Sequence, residues 1–151
     1  MQRAQQILRK DSFDPSFASD SIALDFDGRH RRRLVLSTEK KHDILLDLPE
    51  AAHMRDGDAL ALGDGSLVVV TAKPESLLEI TAPPDLLMRI GWHLGNRHLP
   101  VQFLNGALRI RADHVIANMV RTLGGRIAPV AAPFDPESGA YASHHGSGVH
   151  D

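Results

Sequence analysis

The sequence predicts an α+β protein. A small β-rich, sandwich- or barrel-like N-terminal domain is expected over residues 1–73, a ferredoxin-like βαββαβ domain over 74–134, and a flexible histidine-containing tail over 135–151. Three observations carry this. Short apolar or alternating runs follow one another between 21 and 72, each closed by a turn signal. The character changes at Lys73–Pro74–Glu75, after which strand-like and helix-like segments alternate. The end of the chain, "DPESGAYASHHGSGVHD", is rich in Gly, Ser and Ala and has almost nothing to bury.

In the first half, "SIALDF" (21–26) alternates and runs into a Asp27–Gly28 turn. "RRLVLST" (32–38), "DILLDL" (43–48), "DALALG" (58–63) and "SLVVVTA" (66–72) follow, separated by Lys40–Lys41, Pro49, Asp56–Gly57 and Asp64–Gly65. No window of helical period competes with them. In the second half "SLLEIT" (76–81) reads as a strand. "PPDLLMRIGWHLG" (83–95) has proline at a helix start and apolar residues at helical spacing. "LPVQFLN" (99–105) and "ALRIRA" (107–112) form a hairpin about Gly106. "DHVIANMVRTLGG" (113–125) has Asp113 as N-cap and Gly124–Gly125 as a stop, and "RIAPVAAPF" (126–134) reads as the last strand.

Composition excludes several classes of function. With no cysteine there is no disulfide framework, thiolate zinc site, iron–sulfur site or cysteine nucleophile. A net charge of −2 and 5% aromatic residues give neither the basic field nor the stacking platform of a nucleic-acid binder. The one basic run, "RHRRR" (29–33), reads as a solvated turn and strand edge, the alternative being a grip on phosphate or an acidic partner. No apolar run approaches the ~20 residues of a membrane span, and the first ten residues lack the apolar stretch of a secretion signal, so no membrane association and a cytoplasmic location are expected. There is no GxSxG elbow, HExxH pair or Gly-rich phosphate loop, and "GDGS" (63–66) looks like a hairpin turn, so no enzymatic activity is expected.

Nine histidines in 151 residues are the unusual count. "GWHLGNRHLPVQF" (91–103) sets His93 and His98 five apart. On a helix that spacing turns the two rings about 140° from one another, whereas two ligands from one helix want i and i+4. The helix is expected to end near Gly95–Asn96, two residues suited to a left-handed cap, which places His98 beyond it. His93 borders the apolar face of Leu86, Leu87, Ile90 and Leu94 and reads as a core histidine. His98 lies off that face, open to ligand duty or to none. A lone exposed imidazole is a weak site, but a two-fold axis through His98 would bring two of them together and hold an ion where it can be passed on. His114, in the first turn of the second helix, lies off the Val115–Ile116–Met119–Leu123 stripe and is exposed, as ligand or as incidental surface residue. The tail residues His144, His145 and His150 lie in a segment able to fold back on an ion, at an ordering cost of ~1–2 kcal/mol per residue fixed. His30, His42 and His53 are assigned no role.

"GWHLGNRHLPVQF", "LRIRADHVIANMVRTLG" (108–124) and, less specifically, "LPEAAHMRDGDALALGDG" (48–65) resemble the UreE family of urease accessory proteins, which are nickel metallochaperones. The resemblance covers most of the chain. It implies a β-rich docking domain and a ferredoxin-like domain that forms a homodimer, with His98 at the interface as metal ligand and the tail histidines His144, His145 and His150 as further ligands. Where the family often carries His-Asp-His, this chain reads Ala112–Asp113–His114, so only the second of that pair is kept. The implied cargo is Ni2+, passed to an accessory GTPase and on to apo-urease. Imidazole without thiolate also suits Zn2+ and Cu2+, and the Irving–Williams order ranks Cu2+ above nickel, so ligand type alone does not select nickel. The rival expectation is a protein-interaction domain with incidental histidines and no metal role. A metal-dependent hydrolase lacks a carboxylate at a recognisable spacing to serve as general base.

Overall fold

In the computed structural model, which describes residues 1–138, Met1–Lys73 forms one compact unit and residues 74–138 form a second. The first unit is a six-stranded sheet of β1 (Gln2–Leu8), β2 (Ala18–Leu24), β3 (Arg33–Ser37), β4 (Asp43–Asp47), β5 (Ala59–Leu62) and β6 (Leu67–Ala72), in the order β2-β6-β5-β1-β4-β3. Pairing is mixed: β1 runs parallel to β4 and β2 parallel to β6, and the remaining neighbours are antiparallel. Ile22 on one edge strand and Leu36 on the other belong to the same core cluster as Leu46, Leu60 and Val70 from the middle of the sheet. Strands at opposite edges reach one core only if the sheet curls around it, which also gives its inner face something to pack against.

β1 is absent from the sequence-based expectation, yet it sits in the middle of the sheet. Of its residues only Ala4 is fully buried, pairing with Leu46 on one side and Leu62 on the other. A strand with one small buried residue carries no alternation to read. The basic run also departs from expectation at one position. Arg29 is 0% exposed, and its guanidinium donates to the carbonyls of Leu24 and Met54. Arg31, Arg32 and Arg33 are exposed as expected, leading into edge strand β3.

The second unit follows the predicted order: β7 (Glu75–Thr81), α1 (Pro84–Asn96), β8 (Gln102–Leu104), β9 (Ala107–Arg111), α2 (His114–Leu123) and β10 (Arg126–Ala132). Its four strands lie in the order β10-β7-β9-β8, all antiparallel, the arrangement of a ferredoxin-like split βαβ sheet. Register sets Leu78 opposite Ile110 and Ile80 opposite Leu108. These four side chains form one core with Ile90 and Leu94 of α1 and Ile116 and Val120 of α2. The β8–β9 hairpin turns on Asn105–Gly106, with Gly106 at φ 81°, a left-handed conformation that glycine adopts without steric cost. The Asp113 side chain caps α2 by accepting from the amides of Val115 and Ile116. The chain then reverses at Gly124 and Gly125. A Cβ on Gly125 would lie 2.7 Å from Val120 Cγ1 and 2.8 Å from Ile90 Cδ1, so the return to β10 depends on glycine.

Beyond β10 the chain stays attached to the sheet edge. Phe134 and Pro136 are buried, Gln102 Oε1 accepts from the Asp135 amide, and the Val101 carbonyl accepts from the Glu137 amide at 2.7 Å. Of residues 135–137, expected as the beginning of a loose tail, Pro136 is buried, while Asp135 and Glu137 are exposed and held through their amides. Among the described residues no helix is long and apolar enough to cross a membrane.

Candidate metal centre

His98 is presented by the way α1 ends. The helix runs through Asn96, and Arg97 is its C-cap. The left-handed residue that closes it is neither Gly95 nor Asn96, the expected candidates, but His98 itself at φ 59°. The amide of His98 donates to the Gly95 carbonyl at 2.9 Å and the amide of Leu99 to the Leu94 carbonyl at 3.3 Å. This pair of bonds is a Schellman closure with histidine in the position usually given to glycine. The cap falls two residues later than its composition suggests because Leu99 must reach the core beside Leu94. The left-handed conformation costs a residue with a Cβ roughly 1 kcal/mol, and strain of this kind clusters at functional positions. It leaves the imidazole of His98 exposed just past the helix end.

α1 is apolar on two sides. Ile90 and Leu94 are buried, while Met88 is 76% and Trp92 63% exposed. Met88 and Trp92 are four apart, hence stacked on one face, and that face continues toward Gly95 and the His98 turn. The stripe of Leu86, Leu87, Ile90 and Leu94 expected from the sequence leaves out Met88 and Trp92. The available signal was two large apolar residues outside that stripe. His93, expected as a core histidine, is half-buried, with its ring edge-on to Trp92 at 5.1 Å between centroids.

His114 is exposed in the first turn of α2, as expected, beside the cap made by Asp113. Leu99 and Pro100, just after His98, and Ala112 and Asp113, just before His114, line one cleft of about 320 Å³ together with Ile110 and Arg111. His144, His145 and His150 lie outside the described residues. Ahead of them, the Glu137 amide donates to the carbonyl of Val101, three residues from His98. Among the described residues no three His, Asp or Glu side chains of the chain converge as a metal cluster. In the N-terminal unit, His30 and His53, to which the sequence assigns no role, come into direct contact, their Nδ1 atoms 2.9 Å apart.

Comparison with known proteins follows the same division of the chain. Residues 3–73 match the model of the UreE urease accessory protein N-terminal domain, and residues 75–151 match that of the C-terminal domain. The chain is 56% identical over 134 residues to a urease accessory protein UreE of Rhodopseudomonas palustris, covering 88% of this chain and 62% of the relative. It is 51% identical over 152 residues to that of a Bradyrhizobium strain, covering 100% of this chain and 73% of the relative. The protein of the same name from Beijerinckia indica is 47% identical over 150 residues, with 96% and 86% covered. The chain thus spans a little under two thirds of the Rhodopseudomonas relative and more of the other two. With both domain models matched and identity near one half over most of its length, the chain belongs to the UreE family of urease accessory proteins.

Proposed function

We propose that this chain serves urease maturation as a homodimeric nickel carrier, binding Ni2+ between the two copies of His98 and delivering it for assembly of the urease active site. The observation that carries this reading is the exposed apolar face of α1, Met88 and Trp92, running directly into an exposed histidine held in a left-handed turn. Large apolar side chains aligned on a helix mark a surface meant for burial. Burying that face about a two-fold axis brings the two His98 turns toward each other. One chain offers no cluster of three ligands among its described residues, and a second copy doubles what is available at the axis.

An open site of this kind suits a carrier. Two imidazoles leave coordination positions for water or transient ligands, and the ion leaves faster than from a closed four-ligand cage. His114, whose neighbour Asp113 lines the same cleft as Leu99, is the candidate for a reinforcing ligand. His144, His145 and His150 are further candidates, because the Glu137–Val101 bond starts the tail close to the His98 turn. Zn2+ and Cu2+ compete for the same nitrogens, so nickel selectivity arises from supply and from the receiver. The receivers we infer are an accessory GTPase and apo-urease in the cytoplasm, with the β-rich unit as the docking module. The names of the relatives support urease maturation.

Sedimentation of Trp92→Asp beside the parent chain tests the dimer. The parent sediments as a dimer at micromolar concentration and the variant as a folded monomer with weakened nickel binding. A parent that stays monomeric with and without nickel defeats the proposal.

A further inference from the structure

The N-terminal unit contains a pair of titratable side chains that the nickel site does not use. The 28–30 turn carries His30, and the irregular connection between β4 and β5 carries His53. Their Nδ1 atoms lie 2.9 Å apart, their ring centroids 4.7 Å apart, and both rings pack against Phe26. The same two segments are joined by Met54 N–H donating to the Arg29 carbonyl at 2.8 Å and by the Arg29 guanidinium donating to the Met54 carbonyl.

Two nitrogens at that distance share one proton, one ring donating and the other accepting. The tautomer follows from the far nitrogens. His53 Nε2 is buried and has no hydrogen-bond partner, whereas His30 is exposed. A buried N–H without an acceptor costs more than a buried lone pair of weak basicity, so the proton of His53 belongs on Nδ1, facing His30. His53 Nδ1–H therefore donates, His30 Nδ1 accepts, and His30 carries its own proton on Nε2 toward solvent.

In this closed arrangement a second proton has no good place to bind. His30 Nδ1 is already accepting. His53 Nε2 would become a cationic N–H with no acceptor, and the charges of Arg55, Arg29 and Arg9 oppose it. Arg9 donates to the His53 carbonyl at 2.8 Å and is paired with buried Asp58, whose carboxylate also accepts from the Arg55 amide. Arg29 lies buried behind the turn, and Asp27 is the acidic side chain whose charge favours a proton on His30. Burial, then the charge of His30 and then those of Arg55, Arg29 and Arg9 hold the His53 imidazole down to about 4 from its ordinary 6.5. Burial and Arg29 lower His30 as well, against Asp27. A metal chelate fares no better than a proton: it would place both protons on Nε2, orphaning that of His53, and add a cation beside the arginines.

We propose that the His30–His53 hydrogen bond is an acid-sensitive latch that fastens the 50–55 connection to the 28–30 turn, closed while the pair shares one Nδ1 proton and opened by the uptake of another. Opening exposes both rings to water, where each takes a proton freely, so proton uptake and release of the connection are one event. The sheet does not depend on the latch, since its core strands are tied by their own ladders.

Amide exchange on the full chain tests this, with the Met54 amide as reporter and the Val70 amide of β6 as reference. After correction for intrinsic exchange, Met54 loses about tenfold or more of its protection between pH 7.5 and pH 4.5 while Val70 does not follow. In His53→Leu the Met54 protection becomes flat in pH. Imidazole 15N shifts of the parent chain at neutral pH report the tautomers independently of any variant: His53 protonated at Nδ1 and His30 at Nε2. Unchanged protection of Met54 in the parent chain, undiminished pH dependence in His53→Leu, or the reverse tautomer each overturns the proposal.

Discussion

Replacing His98 by glycine separates what the residue does for folding from what it does for metal. At φ 59° the histidine occupies the C′ position of a Schellman closure. Glycine enters that region without steric penalty, a relief of roughly 1 kcal/mol, partly offset by the greater freedom it gives the unfolded chain. Because the ring is exposed, no packing is lost in exchange. The net expectation for His98→Gly is a metal-free stability equal to the parent or up to about 1 kcal/mol higher, a rise of a few degrees in Tm for a domain of this size. His98→Ala keeps the left-handed penalty and falls about 1 kcal/mol below the glycine variant. Both lose the tightest nickel site. Urea melts without metal, paired with equilibrium dialysis against nickel, read the two effects separately. A glycine variant markedly less stable than the parent refutes the strained-cap argument, and one that binds nickel normally refutes the ligand assignment.

Three further outcomes follow from other parts of the chain. His53, held near 4 against 6.5 when unfolded, keeps its folded-state stability above about pH 6.5; as pH falls from there toward 4 the unfolded chain binds the proton first and stability is lost. The full difference is about 3 kcal/mol, and the partial exposure of the ring reduces it to on the order of 1–2 kcal/mol, which the slope of urea stability against pH in parent and His53→Leu measures. Arg29→Ala removes a fully buried side chain and its bonds to Leu24 and Met54, and thermal melts should show a loss of about 2–4 kcal/mol. Cutting the chain after Ser143 removes His144, His145 and His150, yet Phe134 and the Glu137–Val101 bond remain; calorimetric titration should show weaker or fewer secondary nickel sites on a dimer that keeps its primary one.

The C-terminal half was legible because each signal in it is local. Asp113 caps, Asn105–Gly106 turns, Gly124 stops, and the apolar residues of both helices recur at helical spacing. The N-terminal half was legible only where strands alternate. β1 escaped because it buries little more than Ala4 and takes its place from β4 and β5, partners some forty to sixty residues away. At the candidate site the chemistry-bearing residue was visible in the sequence but its geometry was not. Gly95 and Asn96 are better left-handed residues than histidine, and only the demand that Leu99 meet Leu94 moves the closure to His98. The His30–His53 contact was hidden for the same reason as β1: the two residues lie 23 apart, and the fold alone joins them.

The most direct measurement of the central claim is the number of nickel ions per chain at the tightest site, taken on the chain cut after Ser143 with its mass in solution determined in the same sample. A site shared across a two-fold axis by two His98 side chains gives one ion per two chains on a dimer. One ion per chain on a monomer, or no tight binding at all once the tail is gone, contradicts it.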